Sequence, residues 1–302
     1  MKDKMMFYGV TLGKRYTRGQ KELFLEEAVK ACGEHGRRTC FQTRQNRLSG
    51  LCSLVIGDLD QADTVVACAY DTPGASVLPG IRYYPFHPAR NTREEGRVLL
   101  FHLFLAAACF LPVFLLLKDF TALSMGGRLW RGLAALPFLA VAWRLLQGFA
   151  NPVNFNRNSA AVAVVMKLAE TVDNPQVAFV LMDRGCSSLW GARVLQEACG
   201  EEKTVILLDG LAAGEKMVTA HRKGADISGL WREGWIDKEY EETQNILGLF
   251  SKGILLTSGS VEKGQFVVRH TRSRGDREVD MERLTEIYEM MKKRLDRAGR
   301  EI

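Results

Sequence analysis

Residues 99–117, LLFHLFLAAACFLPVFLLL, contain no Asp, Glu, Lys or Arg. A helix of about 20 apolar residues crosses the hydrocarbon core of a bilayer, so this run is long enough to span. His102 sits one turn in, near an interface, and Pro112 is tolerated better in a membrane helix than in a soluble one. A second run, GLAALPFLAVAW at 132–143, is interrupted by Arg144 before LLQGFA. Arg144 can snorkel towards headgroups, and Trp130, Arg131 and Trp143 suit interfacial positions. The connection between the runs is short and rich in turn-forming residues. The pattern predicts a transmembrane helical hairpin inserted at residues 97–149, with a second helix lying in the interface as the competing arrangement.

Charge bears on orientation. Arg82, Arg90, Arg93, Arg97, Arg144 and Arg157 flank the pair on its outer sides, against Lys118, Arg128 and Arg131 between the segments. The positive-inside tendency puts the flanking parts in the cytoplasm. The opening MKDKMMFYGVTLGKR lacks an apolar stretch, so no signal peptide is expected. The net charge of +6 is modest and scattered, without a basic stripe interleaved with aromatics. Nucleic-acid binding is therefore not expected. The seven cysteines are odd in number and share no CxxC spacing, which argues against a disulfide scaffold or a zinc knuckle.

Outside the hairpin, strands and helices alternate. Residues 18–35 predict an amphipathic helix with Leu23, Phe24, Ala28 and Ala31 as its apolar stripe. Residues 64–70 read as a buried strand ending at Asp71. A helix follows at 158–171, capped by Asn158 or Ser159. Strands at 176–182, 203–208, 252–257 and 265–269, and helices at 187–198 and 280–296, continue the series. The last helix reads as an amphipathic cap. Residues 215–250 carry little signal, and GLWREGW within them reads as packing at the sheet edge. The fold class is α/β: a mixed, largely parallel central sheet flanked by helices, with the hairpin inserted. Residues 1–96 and 150–302 together form one domain. Asp71 and Asp209 fall at the carboxyl ends of strands, where such sheets bind ligands.

The order of elements resembles the M28 zinc aminopeptidase family over most of residues 11–296 apart from the hairpin. GKRYTRG at 13–19 is similar to the family's opening arginine–glycine segment, and VVACAYDT at 65–72 to the strand ending in His-x-Asp. NRNSAAVAVVMKLAE at 156–170 resembles the helix opening Asp-Asn-x-Ser-Gly. AFVLMDRGCSSLWGARVL at 178–195 resembles the element holding paired glutamates, and ILLDGLAAG at 206–214 the next metal-binding strand end. RHTRSRGDREVDMERLTEIYEMM at 269–291 resembles the final His-Thr loop and closing helix.

The resemblance implies a two-zinc site whose ligands are mostly replaced. Ala69 stands at the first metal histidine, Arg157 at the bridging aspartate, Gly185 at the general-base glutamate and Cys186 at the neighbouring glutamate ligand. Only Asp209 and His270 remain at ligand positions, on different implied ions. Asp71 remains as the residue that would orient the missing histidine. Zinc needs several anionic or imidazole donors at about 2 Å, and an arginine puts a permanent positive charge at the bridge. Cys186, His270 and a shifted Asp183 are the candidates for a remodelled zinc site, and Cys186 with His270 for a nucleophilic pair. A salt bridge between Arg157 and Asp71 is a further expectation for filling the pocket.

The chain is therefore read as a membrane-anchored M28-like pseudopeptidase. The expectation is a non-catalytic binding or scaffold module with no cofactor. Its partners are the lipid bilayer and a protein or peptide held in the vestigial pocket of Asp71, Arg157, Cys186, Asp209 and His270. The alternative is a divergent membrane-bound metallo-exopeptidase that uses zinc to hydrolyse peptide bonds. In either case the pocket lies near the bilayer surface, because the hairpin enters between two elements that border it.

Overall fold

The computed structural model describes residues 1–45, 50–186 and 188–298. Its strands are β1 (Thr39–Gln45), β2 (Gly50–Ile56), β3 (Thr64–Ala69), β4 (Val177–Met182), β5 (Thr204–Leu208), β6 (Lys216–Arg222), β7 (Ile236–Tyr240), β8 (Lys252–Glu262) and β9 (Gln265–Val267). Its α-helices are α1 (Lys2–Met6), α2 (Arg18–Glu34), α3 (Pro88–Leu117), α4 (Met125–Gln147), α5 (Ala160–Thr171), α6 (Trp190–Cys199) and α7 (Met281–Leu295).

The strands form one mixed sheet in the order β1-β2-β4-β3-β5-β8-β6-β7, with β9 paired to β8. The central run β4-β3-β5-β8 is parallel. β2 joins β4 antiparallel and β6 joins β8 antiparallel. Thr64 pairs with both Val177 and Thr204, so chain on either side of the long apolar helices builds one sheet. β4 is buried along its whole length. That is why VAFVLM reads as a continuous apolar run and not as an alternation.

Each sheet face is covered. α2, α5 and α7 pack on one face through Phe24, Ala28, Val162, Met166, Leu284 and Met291. α6 and the separate segments carrying Phe86 and Phe250 cover the other. α5 is almost wholly buried because small and β-branched residues let α1, α2 and α7 close around it. On α2 the buried stripe is Phe24, Leu25, Ala28 and Cys32. Leu23 is 52% exposed, so the expected stripe is rotated by about one position. α5 starts at Ala160, since Arg157 and Asn158 have non-helical backbone. Neither expected cap is made, and Ser159 Oγ instead accepts from Arg15 Nη2 at 2.9 Å. α6 begins at Trp190, later than expected, and Ser187 lies outside the described residues.

β1 and β2, unread in the sequence, extend the sheet as an antiparallel pair. β1 is mostly exposed and polar, which removes the alternation that would announce it. Within 215–250, β6 and β7 pair in parallel. Trp235 packs against the core, while Trp231 is 44% exposed, so GLWREGW divides between packing and surface.

α3 and α4 pack side by side as a helical hairpin. The seam is made by His102, Ala106 and Val113 on α3 and by Ala135 and Ala142 on α4. Their spacings of four and seven keep one stripe inward, and alanines allow close approach. The remaining large side chains point out, among them Leu100, Phe104, Leu111, Phe114, Leu133, Val141 and Trp143. The second helix starts at Met125, earlier than the apolar run suggests, because Ser124 caps it by accepting from the Gly127 amide at 3.4 Å. Arg131 Nη1 reaches back to the Lys118 carbonyl at 3.0 Å and closes the turn. Both helices are long and apolar enough to cross a membrane.

Candidate functional site

The parallel strands β3, β4 and β5 all finish at one edge, and the segments after them converge there. Asp71 follows β3, Gly185 and Cys186 follow β4, and Asp209 follows β5. Asn158 ties these ends together. Its Nδ2 donates to the carbonyls of Ala69 at 3.4 Å and Leu208 at 3.3 Å, and its Oδ1 accepts from the Gly210 amide at 3.3 Å.

Arg157 lies in the middle of this edge. Its Cζ is 3.3 Å from the centroid of the Tyr83 ring. Its Nη2 donates to the Cys186 carbonyl at 3.2 Å, and its Nε is 3.7 Å from Asp209 Oδ1. The Tyr83 hydroxyl donates to the other oxygen of Asp209 at 2.6 Å. Burial works against charge on Arg157, but its polar neighbours, the Asp209 carboxylate among them, outweigh it and hold the guanidinium protonated. Burial, with Asp209 adding to it, keeps the Tyr83 phenol far above its ordinary range.

The expected pair between Arg157 and Asp71 does not form, because Arg157 turns to Asp209 instead. Asp71 Oδ1 accepts from the amides of Gly185 at 2.9 Å and Cys186 at 3.0 Å. It therefore clamps the loop after β4 onto the end of β3. Burial raises its pKa. Burial, followed by Asp71, also pushes the Cys186 thiol well above its usual range. A buried protonated thiol is neither a nucleophile nor a ready metal ligand.

Asp183 is engaged away from the Arg157 cleft. Its carboxylate is taken by Lys21 and by the Cys52 amide on the β2 side. His270 is separated from the other four predicted residues. It is exposed, has a positive φ of 62°, and borders a depression beside Ser76 to Arg82. Thr271 and Arg272 face the Arg157 cleft in its stead. The proposed Cys186–His270 arrangement is therefore not assembled.

Three residues that sequence reasoning missed support the site. Asp276 is fully buried and accepts from the amides of Asn156 at 2.8 Å and Arg157 at 3.3 Å, which makes it the positioning residue for Arg157. Arg15 is also fully buried. It donates to the carbonyls of Tyr70 at 2.5 Å, Tyr8 at 2.8 Å and Leu12 at 2.6 Å, and so locks GKRYTRG against the end of β3. Tyr83 carried no signal of its own. It reaches the site by bridging to Val268, far along the chain.

The cleft above Arg157 encloses about 620 Å³. The start of α3 forms one wall through Pro88, Asn91 and Glu95, and Trp190 and Arg193 form the opposite rim. Its donor set does not fit the two-zinc centre that the resemblance implies. Among the described residues, no three His, Cys, Asp or Glu side chains are grouped to hold a metal ion. A Cβ placed on Gly185 would lie 2.6 Å from the Cβ of Ala69, so there is no room for a larger side chain at Gly185.

No family model matches the chain, and no curated protein matches it. Solved structures do. The chain is similar to Porphyromonas gingivalis glutaminyl cyclase, with a TM-score of 0.57, 11% identity, and coverage of 98% of this chain and 95% of that one. It is similar to Bacteroides thetaiotaomicron glutaminyl cyclase bound to N-acetylhistamine, with a TM-score of 0.55, 9% identity, and coverage of 98% and 94%. A leucine aminopeptidase precursor from the same organism gives a TM-score of 0.52, 10% identity, and coverage of 98% and 93%. The likeness is one of fold: the chain shares the architecture of these glutaminyl cyclases and of the leucine aminopeptidase precursor.

Proposed function

We propose that this protein is a membrane-anchored, non-catalytic binding module that holds a protein or peptide partner in the cleft above Arg157. The observation that carries the reading is Arg157 itself. Its guanidinium, stacked on Tyr83 and set against Asp209, fills the centre of the site with a fixed cation. A permanent charge there opposes the metal ions that peptide hydrolysis on this fold would need.

The hairpin supports the anchoring. Residues 98–117 of α3 carry no charged side chain and run for about 30 Å, the thickness of the hydrocarbon core. An exposed apolar belt of this extent is poorly tolerated in water. The flanking Arg82, Arg90, Arg93, Arg97 and Arg144 favour a cytoplasmic domain, while Arg157 drops out of that count because it is buried in the site.

Two measurements test the reading. Full-length protein purified from membranes is assayed on a panel of aminoacyl and amino-terminal glutaminyl peptides, with zinc and with chelator. The expected result is no turnover above a protein-free control. Chelator-sensitive cleavage would overturn the non-catalytic assignment. Membranes washed in alkaline carbonate should retain the chain, and its release would overturn the anchoring.

A further inference from the structure

A second cavity, of about 340 Å³, lies where α3 and α4 leave the α/β domain. One wall is apolar and comes from the hairpin: Val98, Leu99, Leu103, Leu145 and Leu146. Leu99, Leu103 and Leu146 are 60%, 43% and 52% exposed, so this wall runs on into the outer apolar belt of the helices. The facing wall is cationic, with Lys21 from α2, Arg184 from the loop after β4 and Arg272 from the loop after β9.

The charges are unequally satisfied. Lys21 is paired with Asp183, and Arg272 with Glu95. Asp71 also borders the cavity, but its carboxylate is engaged by two backbone amides. Arg184 forms no ion pair among the described residues, and its buried Nε has no acceptor. His102, 93% buried by its 7% exposure, borders the same cavity, and its Nε2 has no partner either. Two buried polar nitrogens without partners beside one cavity are uncommon, since folded proteins satisfy nearly all such groups.

We propose that this cavity binds the phosphate headgroup of an anionic phospholipid. Arg184 supplies the uncompensated charge, His102 in its Nε2–H tautomer a second donor, and the acyl chains lie along Leu99, Leu103 and Leu146. The inference rests on the membrane reading above. A free phosphate offers the same anionic chemistry, but it leaves the apolar wall uncovered.

Native mass spectrometry of the full chain in detergent compares phosphatidylglycerol, phosphatidylcholine and millimolar inorganic phosphate. The expected result is a preference of about tenfold for phosphatidylglycerol over phosphatidylcholine, the value of one charge-assisted hydrogen bond, with no retention of inorganic phosphate. Arg184→Gln should bring the two lipids to near parity, whereas Lys216→Gln, which removes a distant exposed charge, should leave the preference intact. Photoactivatable phosphatidylglycerol should crosslink wild-type protein at residues 98–103 and 145–147, not at the hairpin tip. This arm decides the matter even where a variant fails to fold. Equal lipid retention, crosslinks confined to the tip, or equal binding of inorganic phosphate would overturn the proposal. Release of the chain by carbonate would instead overturn the membrane reading on which it depends.

Discussion

Replacing Arg157 by Met removes a buried cation from between Tyr83 and Asp209. At 3.7 Å and an effective dielectric of about 20, the Arg157–Asp209 attraction is about 4 kcal/mol before desolvation is subtracted. The stack on Tyr83, at 3.3 Å from the ring centroid, adds about 2 kcal/mol where water is excluded. Against this stands the cost of burying the guanidinium. The ion pair also lacks a hydrogen bond, since neither Arg157 Nε nor Asp209 Oδ1 has a partner within bonding geometry. A net loss of about 2–3 kcal/mol is expected for Arg157→Met, and about 3 kcal/mol for Asp209→Asn, which strands the guanidinium. For a domain of this size each lowers Tm by roughly 4–6 °C. The double variant should lose less than the sum, with a coupling of about 2 kcal/mol. Thermal unfolding of the detergent-solubilised chain, followed by tryptophan fluorescence, reads the effect, with Trp190 at the cleft rim as a local reporter. Two single variants within about 2 °C of wild type, or strictly additive losses, would refute the pairing as the element that fills the pocket.

Gly185→Glu restores the residue type that the family resemblance puts at the general base. Its Cβ would meet Ala69 Cβ at 2.6 Å and Cα at 3.3 Å, so thermal unfolding should show a lower Tm and activity assays no zinc-dependent turnover. Burial pushes the Asp276 carboxyl from 3.8 up to about 7 despite the amides of Asn156 and Arg157. The folded state therefore keeps a proton that the unfolded state has lost between about pH 4 and 7, and this group makes stability fall as pH rises through that window. Asp276→Asn should abolish that component, so wild-type stability relative to the variant declines up to about pH 7 and is flat above it, as denaturant titrations at several pH values would show. Arg15→Met strands the carbonyls of Tyr8, Leu12 and Tyr70 and the Ser159 hydroxyl, at a cost of about 3–5 kcal/mol. It should show as poor recovery of folded protein by size-exclusion chromatography.

Much of the sheet was legible because its central strands are parallel and buried on both faces. Runs such as VAFVLM and TVILL then announce themselves, and their carboxyl ends point to Asp71 and Asp209. β7 was not legible: IDKEY is an edge strand almost wholly in solvent, without an apolar face to pattern it. In the site, Arg157 stood out because a cation replaces an acid in an otherwise similar motif. Its partner was misassigned because Tyr83, the residue that orients Asp209, sits in a loop whose course depends on pairing with Val268. His270 was placed in the pocket by analogy, whereas the left-handed turn at that residue sends the neighbouring Thr271 and Arg272 inward. Asp276 gave no sign at all, since burial of a lone acid within RSRGDRE depends on the tertiary approach of residues 156–157.

The hairpin and the site are joined in space as well as in sequence. The first turns of α3 wall the Arg157 cleft, and the next turns wall the cavity at its base. Arg272 and Glu95, an ion pair, border both spaces. The helical hairpin thus adjoins the cleft directly.

Zinc content tests the central claim most directly. The full chain is purified from membranes grown and handled in micromolar zinc, without chelator, and its metal is counted by inductively coupled plasma mass spectrometry. A donor set built around Arg157 predicts zinc far below one equivalent per chain, unchanged in Arg157→Met. One or two equivalents that survive gel filtration and leave with chelator would contradict it.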